Sequence, residues 1–434
     1  MELKRGDVVI MNDGTKVTVI GLIGKGGQGS VYEVSVGGKH RHHALKWYLP
    51  EYLHQIDQKR FYDNLVENQK SGSPSDNFLW LKSVSSFKPD SFGYLMDLRP
   101  KRYCSFSDIL NAKQRITSLK TQIIAAKNIC CAFQSLHRKG YSYQDINDGN
   151  FFIDTSTGDV LVCDNDNVAP CGTWMGMAGK DRYIAPEVVL GKSHAGMESD
   201  LYSLAVVLYM LFFISHPLEG RRVHTCPCLT NTYLRKFFAE SPVFVFDPND
   251  STNRPVRGVD CNAITLWPLY PKSLQDLFVR SFTQGLHDAG YRVRENEWVD
   301  CFNQMLDNIV SCPFCGGEQF YRYAGQDGVT FPCEDCHNYV RKPFILNDGQ
   351  HTKLLMEGTE VLGTDIGMDC SKKIGTVVES VKHPGLWGIS IQYNLDWKIE
   401  CSNGKELAGN KGTTVPLFKD TILEVNMKQM KIEI

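Results

Sequence analysis

The sequence predicts an α+β fold made of two lobes, followed by a cysteine-rich module and a small all-β sandwich. A glycine-rich segment lies between strand-like runs near the start, and polar residues at fixed spacing precede a long apolar helix in the middle. Cysteine pairs and then short alternating runs fill the last part. A chain of 434 residues is too long for one hydrophobic core, which agrees with several domains.

The first element is a glycine-rich loop between two predicted strands. Residues 24–31 read Gly-Lys-Gly-Gly-Gln-Gly-Ser-Val, and a strand ending in Ala-Leu-Lys at residues 44–46 follows. Glycines let a backbone approach nucleotide phosphates, because they have no Cβ. A dinucleotide-binding fold has the same spacing but needs a helix after the loop, whereas a strand is predicted here. The candidate nucleotide-binding residues in this part are Gly24, Gly26, Gly29, Val31, Ala44 and Lys46.

The second element is a set of polar residues between positions 143 and 187. Asp145 and Asn150 lie five positions apart, Asp164 follows a strand-like run, and Ala185-Pro186-Glu187 closes the segment. In a phosphoryl-transfer site of this pattern, the first Asp orients the attacking hydroxyl, and the Asn and the later Asp bind Mg²⁺. The pattern predicts that Asp145 is catalytic and that Asn150 and Asp164 are metal ligands.

With these motifs, residues 15–310 resemble the eukaryotic-type Ser/Thr protein kinases. The segment 200–204, Asp-Leu-Tyr-Ser-Leu, is similar to the start of the family's buried central helix. Arg292 is similar to the late arginine that pairs with the Glu of Ala-Pro-Glu, here Glu187. The resemblance implies a bilobal protein-kinase-like fold with ATP and Mg²⁺ as cofactors.

The resemblance also implies residues around the nucleotide. Met96 would lie at the back of the adenine pocket, and the backbone of Asp97 and Leu98 would meet the purine edge. Glu67 has the spacing of the helix carboxylate that pairs with Lys46 in this family. A solvated carboxylate on the helix surface is the alternative for Glu67.

The motifs depart from the family pattern in two places. Tyr143-Gln144 replaces the His-Arg pair before the catalytic Asp, and that Arg usually binds a phosphorylated activation loop. Activation by loop phosphorylation is therefore not expected. Asp164-Asn165-Asp166 stands where Asp-Phe-Gly is usual. We interpret the added carboxylates, Asp166 and Asp148, as groups near the metals or in solvent rather than as extra ligands.

A third departure concerns a cation. Asn147 stands where Ser/Thr kinases carry a Lys, and Gly179-Lys180 stands where they carry Gly-Thr. The two positions face each other in related folds, so we predict that Lys180 supplies the missing charge to the γ-phosphate. Lys180 would then be a catalytic residue beside Asp145 and Lys46. An exposed loop lysine is the equally supported alternative.

Four cysteines form the second strong pattern, since two C-x-x-C pairs are separated by 17 residues. This spacing predicts a zinc ribbon whose four thiolates close the coordination sphere, so that the metal is structural. We expect a hairpin between the pairs, at residues 320–328. A second metal at Cys226-Pro227-Cys228, with His224 and Cys261, is less favoured than a loop with reduced thiols. The candidate zinc ligands are Cys312, Cys315, Cys333 and Cys336.

Short strand-like runs with turn residues between them follow the ribbon and predict a small β-sandwich. The arrangement resembles a forkhead-associated domain, but the Arg, Ser and His that grip a phosphate are not recognisable, which favours a protein-docking role. The predicted strands lie at 353–356, 374–378, 388–392, 397–401, 413–417, 421–425 and 430–434. The predicted domains are the N-lobe at 1–97, the C-lobe at 98–310, the ribbon at 311–343 and the sandwich at 344–434.

Composition excludes several kinds of partner. The chain has 47 basic and 49 acidic residues and no basic stripe, which argues against nucleic acid. The N-terminus lacks an apolar signal region, and the longest apolar run, residues 204–214, is too short to span a bilayer, so we expect no membrane partner and a cytoplasmic protein. The kinase, ribbon and β tail together resemble bacterial kinases of tellurite-resistance gene clusters. That resemblance implies a metal-dependent phosphatase and a von Willebrand A-type protein as partners.

The predicted activity is transfer of the γ-phosphoryl of ATP to Ser or Thr hydroxyls of protein substrates, the chain itself included. A pseudokinase or nucleotide-binding scaffold that docks partners through the β domain is an alternative, which Gln144 and Asp166 favour. The intact site residues oppose it, namely Lys46, Asp145, Asn150 and Asp164. A small-molecule kinase is a third reading. The Ala185-Pro186-Glu187 segment favours a protein substrate instead.

Overall fold

The computed structural model describes residues 2–37, 42–176, 179–368 and 372–434. They divide into two compact units, Met1–Val299 and Asp300–Ile434. The first unit combines a sheet with many helices, and the second consists mainly of strands. The predicted fold class, α+β followed by an all-β region, is confirmed.

The first unit begins with a six-stranded antiparallel sheet in the order β1-β2-β3-β4-β6-β5. Its strands are β1 (Val8–Ile10), β2 (Lys16–Lys25), β3 (Gly29–Val36), β4 (His42–Tyr48), β5 (Leu81–Val84) and β6 (Gly93–Asp97). The edge strands meet, because Asn12 N donates to Val84 O at 2.8 Å and Ser86 N donates to Ile10 O at 3.0 Å. The sheet therefore closes on itself around an apolar core that includes Val17, Val34 and Leu45.

Two helices follow β4, namely α1 (Pro50–Leu53) and α2 (Gln58–Ser71). Asp57 caps the start of α2 by accepting from Arg60 N at 3.1 Å, and the helix ends before Gly72, whose φ of 68° favours glycine. Phe61 and Leu65 of α2 are buried against the outer face of the sheet. This packing sets the rotation of α2 about its own axis, with Phe61 and Leu65 on the side that faces the sheet.

The rest of the first unit is mainly helical. Its helices are α3 (Phe106–Leu110), α4 (Leu119–Arg138), α5 (Pro186–Val189), α6 (Met197–Phe213), α7 (Arg221–His224), α8 (Asn231–Arg235), α9 (Cys261–Leu266), α10 (Lys272–Phe282) and α11 (Gln284–His287). A further helix, α12 (Glu295–Asp307), crosses the boundary into the second unit. Short strands between the helices are β7 (Cys104–Ser105), β8 (Tyr141–Ser142), β9 (Phe151–Ile153), β10 (Val160–Val162) and β11 (Ala169–Pro170). Single helical turns lie at Asp148–Asn150, Asn165–Asn167, Lys236–Glu240, Trp267–Leu269, Ala289–Tyr291 and, in the second unit, Gly363–Ile366.

Two helices of this unit carry polar anchors. The central helix α6 is buried along nearly its whole length, and Asp200 in its first turn accepts from Gln144 N at 2.9 Å. Arg292, before α12, binds Glu187 of α5 through two hydrogen bonds of 2.8 and 2.7 Å. The predicted pair of Arg292 and Glu187 is confirmed. Within the part of the chain that the structure describes, no helix has the length and apolar character of a membrane span.

The second unit opens with two hairpins, each with a C-x-x-C pair at its turn. The hairpin strands are β12 (Ile309–Ser311) with β13 (Glu318–Phe320), and β14 (Thr330–Pro332) with β15 (Tyr339–Arg341). The predicted position of the hairpin, at 320–328 between the pairs, is wrong. A backbone hydrogen bond closes each turn around its cysteine pair: Cys312 N donates to Gly317 O at 2.8 Å, and Cys333 N donates to Asn338 O at 2.9 Å.

In the described part of 344–434, ten further strands form two sheets around one apolar core. They are β16 (Phe344–Asn347), β17 (Thr352–Leu355), β18 (Glu360–Leu362), β19 (Lys373–Glu379), β20 (Trp387–Ile391), β21 (Trp397–Glu400), β22 (Glu406–Gly409), β23 (Thr414–Pro416), β24 (Ile422–Val425) and β25 (Lys428–Glu433). The sheet orders are β17-β16-β25-β24-β21-β22 and β18-β19-β20-β23. All seven predicted strands are present, whereas β16, β18 and β22 were not predicted.

Candidate active site

The glycine-rich loop is the turn of a β-hairpin. Gly26 N donates to Gly29 O at 2.8 Å, and β3 continues directly from Gly29, so the helix that a dinucleotide fold needs is absent from this described segment. A Cβ on Gly29 would lie 2.5 Å from Trp47 O, whereas one on Gly24 would meet nothing within 4 Å. Gly29 is thus required for the approach of β3 to β4. A Cβ on Gly26 would meet only Gly29 O, at 3.8 Å, so packing does not require a glycine at position 24 or 26.

Lys46 lies on β4 with its ammonium buried below this loop. Its Nζ contacts Asp166 Oδ2 at 2.8 Å, Gln28 Oε1 at 3.0 Å and Asp164 Oδ1 at 3.3 Å. A lysine ammonium has three donors, so these acceptors account for all of them. Burial lowers the pKa of Lys46, but the charges of Asp164 and Asp166 outweigh it, and the net pKa is raised. Lys46 is therefore charged.

Glu67 does not pair with Lys46, and this prediction is wrong. The side chain of Glu67 is 65% exposed, and its carboxylate binds Lys70 Nζ at 2.8 Å on the surface of α2. Burial of Phe61 and Leu65 turns the apolar side of α2 inward and leaves Glu67 on the outer side. The alternative, a solvated carboxylate at Glu67, is correct. Asp166 instead forms the buried ion pair with the Lys46 ammonium.

We name residues 143–150 the catalytic loop, after the family pattern that they resemble, and two side-chain amides of this loop donate to Asp145. Asn147 Nδ2 donates to Asp145 Oδ1 at 3.0 Å, and Asn150 Nδ2 donates to the backbone oxygen of Asp145 at 2.8 Å. Burial raises the pKa of Asp145, the Asn147 hydrogen bond lowers it, and the charges of Asp166 and Asp164 raise it, to about 6 overall. A carboxylate with this pKa is largely ionised at neutral pH and can still accept a proton. The sequence did not indicate Asn147 as its hydrogen-bond donor.

Asn150 and Asp164 fit a Mg²⁺ ion by the chemistry of their donors. Cys163 N donates to Asn150 O at 2.9 Å, which brings the residue before Asp164 beside Asn150. The side-chain nitrogen of Asn150 donates to the backbone oxygen of Asp145. Its side-chain oxygen is therefore the atom that would bind a cation. Asp164 has a left-handed φ of 54° and a side chain that is 42% exposed. One amide oxygen and one accessible carboxylate are the hard oxygen ligands that Mg²⁺ prefers.

Lys180 lies at the edge of the catalytic loop. A Cβ on the preceding Gly179 would lie 3.7 Å from Asp145 Oδ1. The Lys180 ammonium forms an ion pair with Asp148, whose other oxygen accepts from Ser107 Oγ at 2.8 Å. Asp148 is therefore engaged by Lys180 and Ser107 rather than solvated. Its hydrogen bond to Ser107 fixes the carboxylate that holds Lys180.

The candidate adenine-pocket residues lie on the middle strands of the sheet. Met96 on β6 is 6% exposed and pairs with Ala44 of β4 across the sheet. The Asp97 carboxylate binds Lys82 Nζ at 2.7 Å, and Leu98 is half-buried against the apolar cluster that includes Phe61 and Leu65 of α2. Val31 on β3 pairs with Lys46 on β4. Met96, Ala44 and Val31 thus share neighbouring strands with Lys46.

The segment after Asp164 is held by neutral donors and one guanidinium. Gln144 Nε2 donates to Thr173 O at 2.6 Å, and Arg60 Nη2 donates to Trp174 O at 3.0 Å. Asn68 of α2 donates to Val168 O at 2.7 Å. These contacts fasten backbone carbonyls and require no phosphate.

The four predicted zinc ligands form a second candidate site. Their Sγ atoms lie within 4.8 Å of one another, and among the described residues this is the only group of three or more His, Cys, Asp and Glu side chains that could hold a metal ion. Gly317 N lies 3.4 Å from Cys315 Sγ, and Asn338 Nδ2 lies 3.5 Å from Cys336 Sγ. Donors aimed at sulfur stabilise thiolates, which suits a tetrahedral divalent metal. At the second metal site, which the sequence disfavours, His224 Nε2 instead binds Asp260 Oδ1 at 2.9 Å. The four ligands are Cys312, Cys315, Cys333 and Cys336.

A family model described as "Protein kinase domain" matches residues 17–243, more than half of the 434-residue chain. The chain belongs to the protein kinase domain family. The predicted membership in the protein kinases is confirmed, and the residues around Lys46 and Asp145 lie inside the matched range.

Curated relatives are named as kinases. "Cell cycle serine/threonine-protein kinase CDC5/MSD2" of Saccharomyces cerevisiae is 30% identical over 155 residues, which cover 33% of this chain and 20% of that protein. "Probable serine/threonine-protein kinase CCRP1" of Zea mays is 24% identical over 278 residues, covering 62% of this chain and 41% of that protein. The matched part is thus less than half of either relative. The Mycobacterium tuberculosis PknI kinase domain aligns with a TM-score of 0.48 and 17% identity, over 70% of this chain and 99% of that one.

Proposed function

We propose that the protein is an ATP- and Mg²⁺-dependent kinase that transfers the γ-phosphoryl group to Ser or Thr hydroxyls of protein substrates and of itself. The observation that carries the proposal is the convergence of a buried charged Lys46, an accessible Asp164 and a hydrogen-bonded Asp145 in a protein kinase domain. Phosphoryl transfer relies on positioning and charge neutralisation, and these residues suit both tasks.

Each residue has a distinct task in the proposed reaction. Lys46 would hold the α and β phosphates, and Asp145 would orient the substrate hydroxyl and accept its proton. Asn147 keeps the Asp145 carboxylate oriented through its 3.0 Å hydrogen bond. Asn150 and Asp164 would hold Mg²⁺, which when bound neutralises charge on the transferred phosphoryl group.

Phosphoryl transfer from labelled ATP tests the proposal directly. The full chain is incubated with labelled ATP and Mg²⁺, alone and with a generic Ser/Thr protein substrate. Asp164→Ala should lower the rate by roughly a hundredfold or more. Asp159→Ala is the matched control, because Asp159 is a surface carboxylate that is 48% exposed and pairs with Arg102. Wild-type rates in Asp164→Ala, or no transfer by the wild type, contradict the proposal.

A nucleotide-binding scaffold is the second candidate. Gln144 in place of the usual Arg and Asp166 in place of the usual Gly favour it. A scaffold would bind ATP, as a titration with a fluorescent nucleotide measures, and would not transfer phosphate in the labelled-ATP assay. The same pair of measurements therefore separates the two candidates.

The remaining assignments are proposals that rest on sequence and local geometry. We propose that the boundaries fall at 97, 310 and 343, and that the four cysteines hold a structural zinc ion. No two of the fourteen cysteines in the described residues form a disulfide, which supports a reducing, cytoplasmic location. The β tail at 344–434 would dock partner proteins. A metal-dependent phosphatase and a von Willebrand A-type protein are the partners that the resemblance suggests.

A further inference from the structure

Asp166 is buried beside Lys46, where the family pattern has the carboxylate of a helix glutamate. Its side chain has no solvent exposure, and its Oδ2 accepts from Lys46 Nζ at 2.8 Å and from Tyr48 Oη at 2.7 Å. We propose that Asp166 is the residue that positions Lys46 for the nucleotide, in place of the helix glutamate that protein kinases use. The inference rests on the proposed kinase function.

The two carboxylates at Lys46 are not equivalent. Asp164 lies farther away, at 3.3 Å, and its side chain is 42% exposed. Asp164 is also the proposed Mg²⁺ ligand, so its charge would be shared with the metal once nucleotide is bound. Asp166 has no exposed surface, and its 2.8 Å contact with the ammonium does not involve the proposed metal. Removing one partner of a buried ion pair leaves the other charge uncompensated, which makes Asp166 important for Lys46.

Helix α2 supports this pair without contributing a charge. Phe61 of α2 packs against the ring of Tyr48, with ring centroids 5.1 Å apart, and Tyr48 donates to Asp166. Two side chains of the helix, Asn64 and Asn68, donate from Nδ2 to Val168 O at 2.8 and 2.7 Å. Val168 lies two residues after Asp166. The helix therefore fastens the segment that carries Asp166 and does not reach Lys46 itself.

One short segment then carries both the partner of Lys46 and the proposed metal ligand. In the usual arrangement the lysine partner lies on the helix and the metal ligand lies on the loop, so the helix can disconnect them. Here Asp164 and Asp166 are two residues apart and contact the same ammonium. A movement of this short segment would therefore change the orientation of Lys46 and the position of the metal ligand Asp164 together.

ATP binding measures the role of Asp166 independently of phosphoryl transfer. Competition against a fluorescent nucleotide gives the Kd of ATP for the wild type, Asp166→Asn, Lys46→Met and the double variant. Asp166→Asn should weaken binding about tenfold or more, the change expected for loss of one charge-assisted hydrogen bond. The double variant should bind no more weakly than Lys46→Met, because Asp166 acts through Lys46.

Glu67→Gln is the matched control, since Glu67 is the exposed carboxylate of α2. It should keep the wild-type Kd. Tyr48→Phe removes only one hydrogen-bond donor to Asp166. It replaces Asp166→Asn in the binding measurement if circular dichroism shows that Asp166→Asn does not fold. It should weaken ATP binding severalfold, and only when Lys46 is present.

Equal losses from Asp166→Asn in the wild-type and Lys46→Met backgrounds, or wild-type Kd in Asp166→Asn, would overturn the inference. So would an unchanged Kd in Tyr48→Phe where that variant has to be used. A wild-type protein that binds ATP with the expected variant pattern but transfers no phosphate overturns the proposed function alone. A wild-type protein that does not bind ATP overturns both.

Discussion

The side chain of Gln144 donates a 2.6 Å hydrogen bond to the backbone oxygen of Thr173. In kinases activated by phosphorylation, an Arg at this position binds a phosphate on the loop. An uncharged amide cannot form that ion pair, but it can hold the loop through a backbone carbonyl. Gln144 Oε1 also lies 3.4 Å from Met175 N, so the loop is held on both sides of Trp174.

We therefore expect activity that does not depend on phosphorylation of Thr173. Thr173→Ala should keep the wild-type kcat, because the bonded atom belongs to the backbone. Gln144→Ala should lower kcat severalfold through loss of the loop anchor. Phosphatase treatment of the wild type before the labelled-ATP assay is the parallel measurement. A large loss of activity in Thr173→Ala or after phosphatase would refute a phosphate-independent loop.

Gly29→Ala should destabilise the first unit. The new Cβ would lie 2.5 Å from Trp47 O, a backbone atom that the β3–β4 pairing holds in place. We expect a loss of about 1–3 kcal/mol in the free energy of unfolding, as for other overpacked sites. Gly27→Ala is the control in the same loop, because its Cβ would meet nothing within 4 Å. Urea unfolding of both variants gives the comparison, and equal stabilities would contradict the steric explanation.

The sequence predicted the residues of the site better than the contacts between them. Lys46, Asp145 and Asp164 belong to local motifs, so their positions follow from spacing alone. The partner of Lys46 depends on how α2 is rotated, and that rotation is set by the burial of Phe61 and Leu65. Their four-residue spacing already placed Glu67 on another side of the helix, a signal that the spacing argument for Glu67 overlooked.

The β tail shows the same limit at the level of strands. The strand predicted at 397–401 is present as Trp397–Glu400, in which apolar and polar residues alternate. Glu406–Gly409 forms an edge strand with little burial, and its sequence, Glu-Leu-Ala-Gly, carries no clear alternation. Pairing with Trp397–Glu400, not its own composition, makes it a strand. Elements determined by tertiary pairing were therefore missed.

We expect the free energy of unfolding to fall at alkaline pH, because His137 loses its charge there. It is buried on α4 between Glu295, which hydrogen-bonds its Nδ1, and Asp200, whose Oδ2 lies 3.2 Å from its Nε2. Burial lowers the pKa of His137, but the hydrogen bonds and charges of Asp200 and Glu295 outweigh it and raise the pKa from 6.5 to about 9. The charged imidazole thus stabilises the fold fully below pH 6.5, and this contribution is lost as the pH rises through about 9.

The contribution is on the order of 3 kcal/mol, since one pKa unit corresponds to about 1.4 kcal/mol. Thermal unfolding from below pH 6.5 to above pH 9 should show the decline in the wild type. His137→Gln should be less stable at low pH and should lack that part of the pH dependence. Parallel Tm curves for the two proteins would exclude a charged His137.

The cysteine cluster should hold about one zinc ion per chain, with no part in the phosphoryl-transfer reaction. Elemental analysis of the full chain should detect the metal, and Cys312→Ser combined with Cys333→Ser should remove it and lower the Tm of the second unit. Cys401→Ser is the control, because Cys401 is a half-buried free thiol outside the cluster. Zinc that persists in the double variant would refute coordination by four thiolates.

The ion pair of Lys180 with Asp148 holds a positive charge at the catalytic loop. The side chain of Lys180 is 52% exposed and that of Asp148 only 14%, so the lysine is the partner that can move toward a bound nucleotide. If Lys180 supplies charge to the γ-phosphate in the transition state, Lys180→Ala should lower kcat about tenfold or more and leave the Kd of ATP nearly unchanged.

The double change Asn147→Lys with Lys180→Thr tests the same charge from the opposite side of the cleft. It should recover part of the lost kcat, although it also removes the Asn147 hydrogen bond to Asp145. Lys192→Ala, a change at an exposed lysine, should have no effect on either constant. Full kcat in Lys180→Ala would mean that the ammonium serves only the ion pair with Asp148, and that the positive charge at position 180 has no part in the reaction.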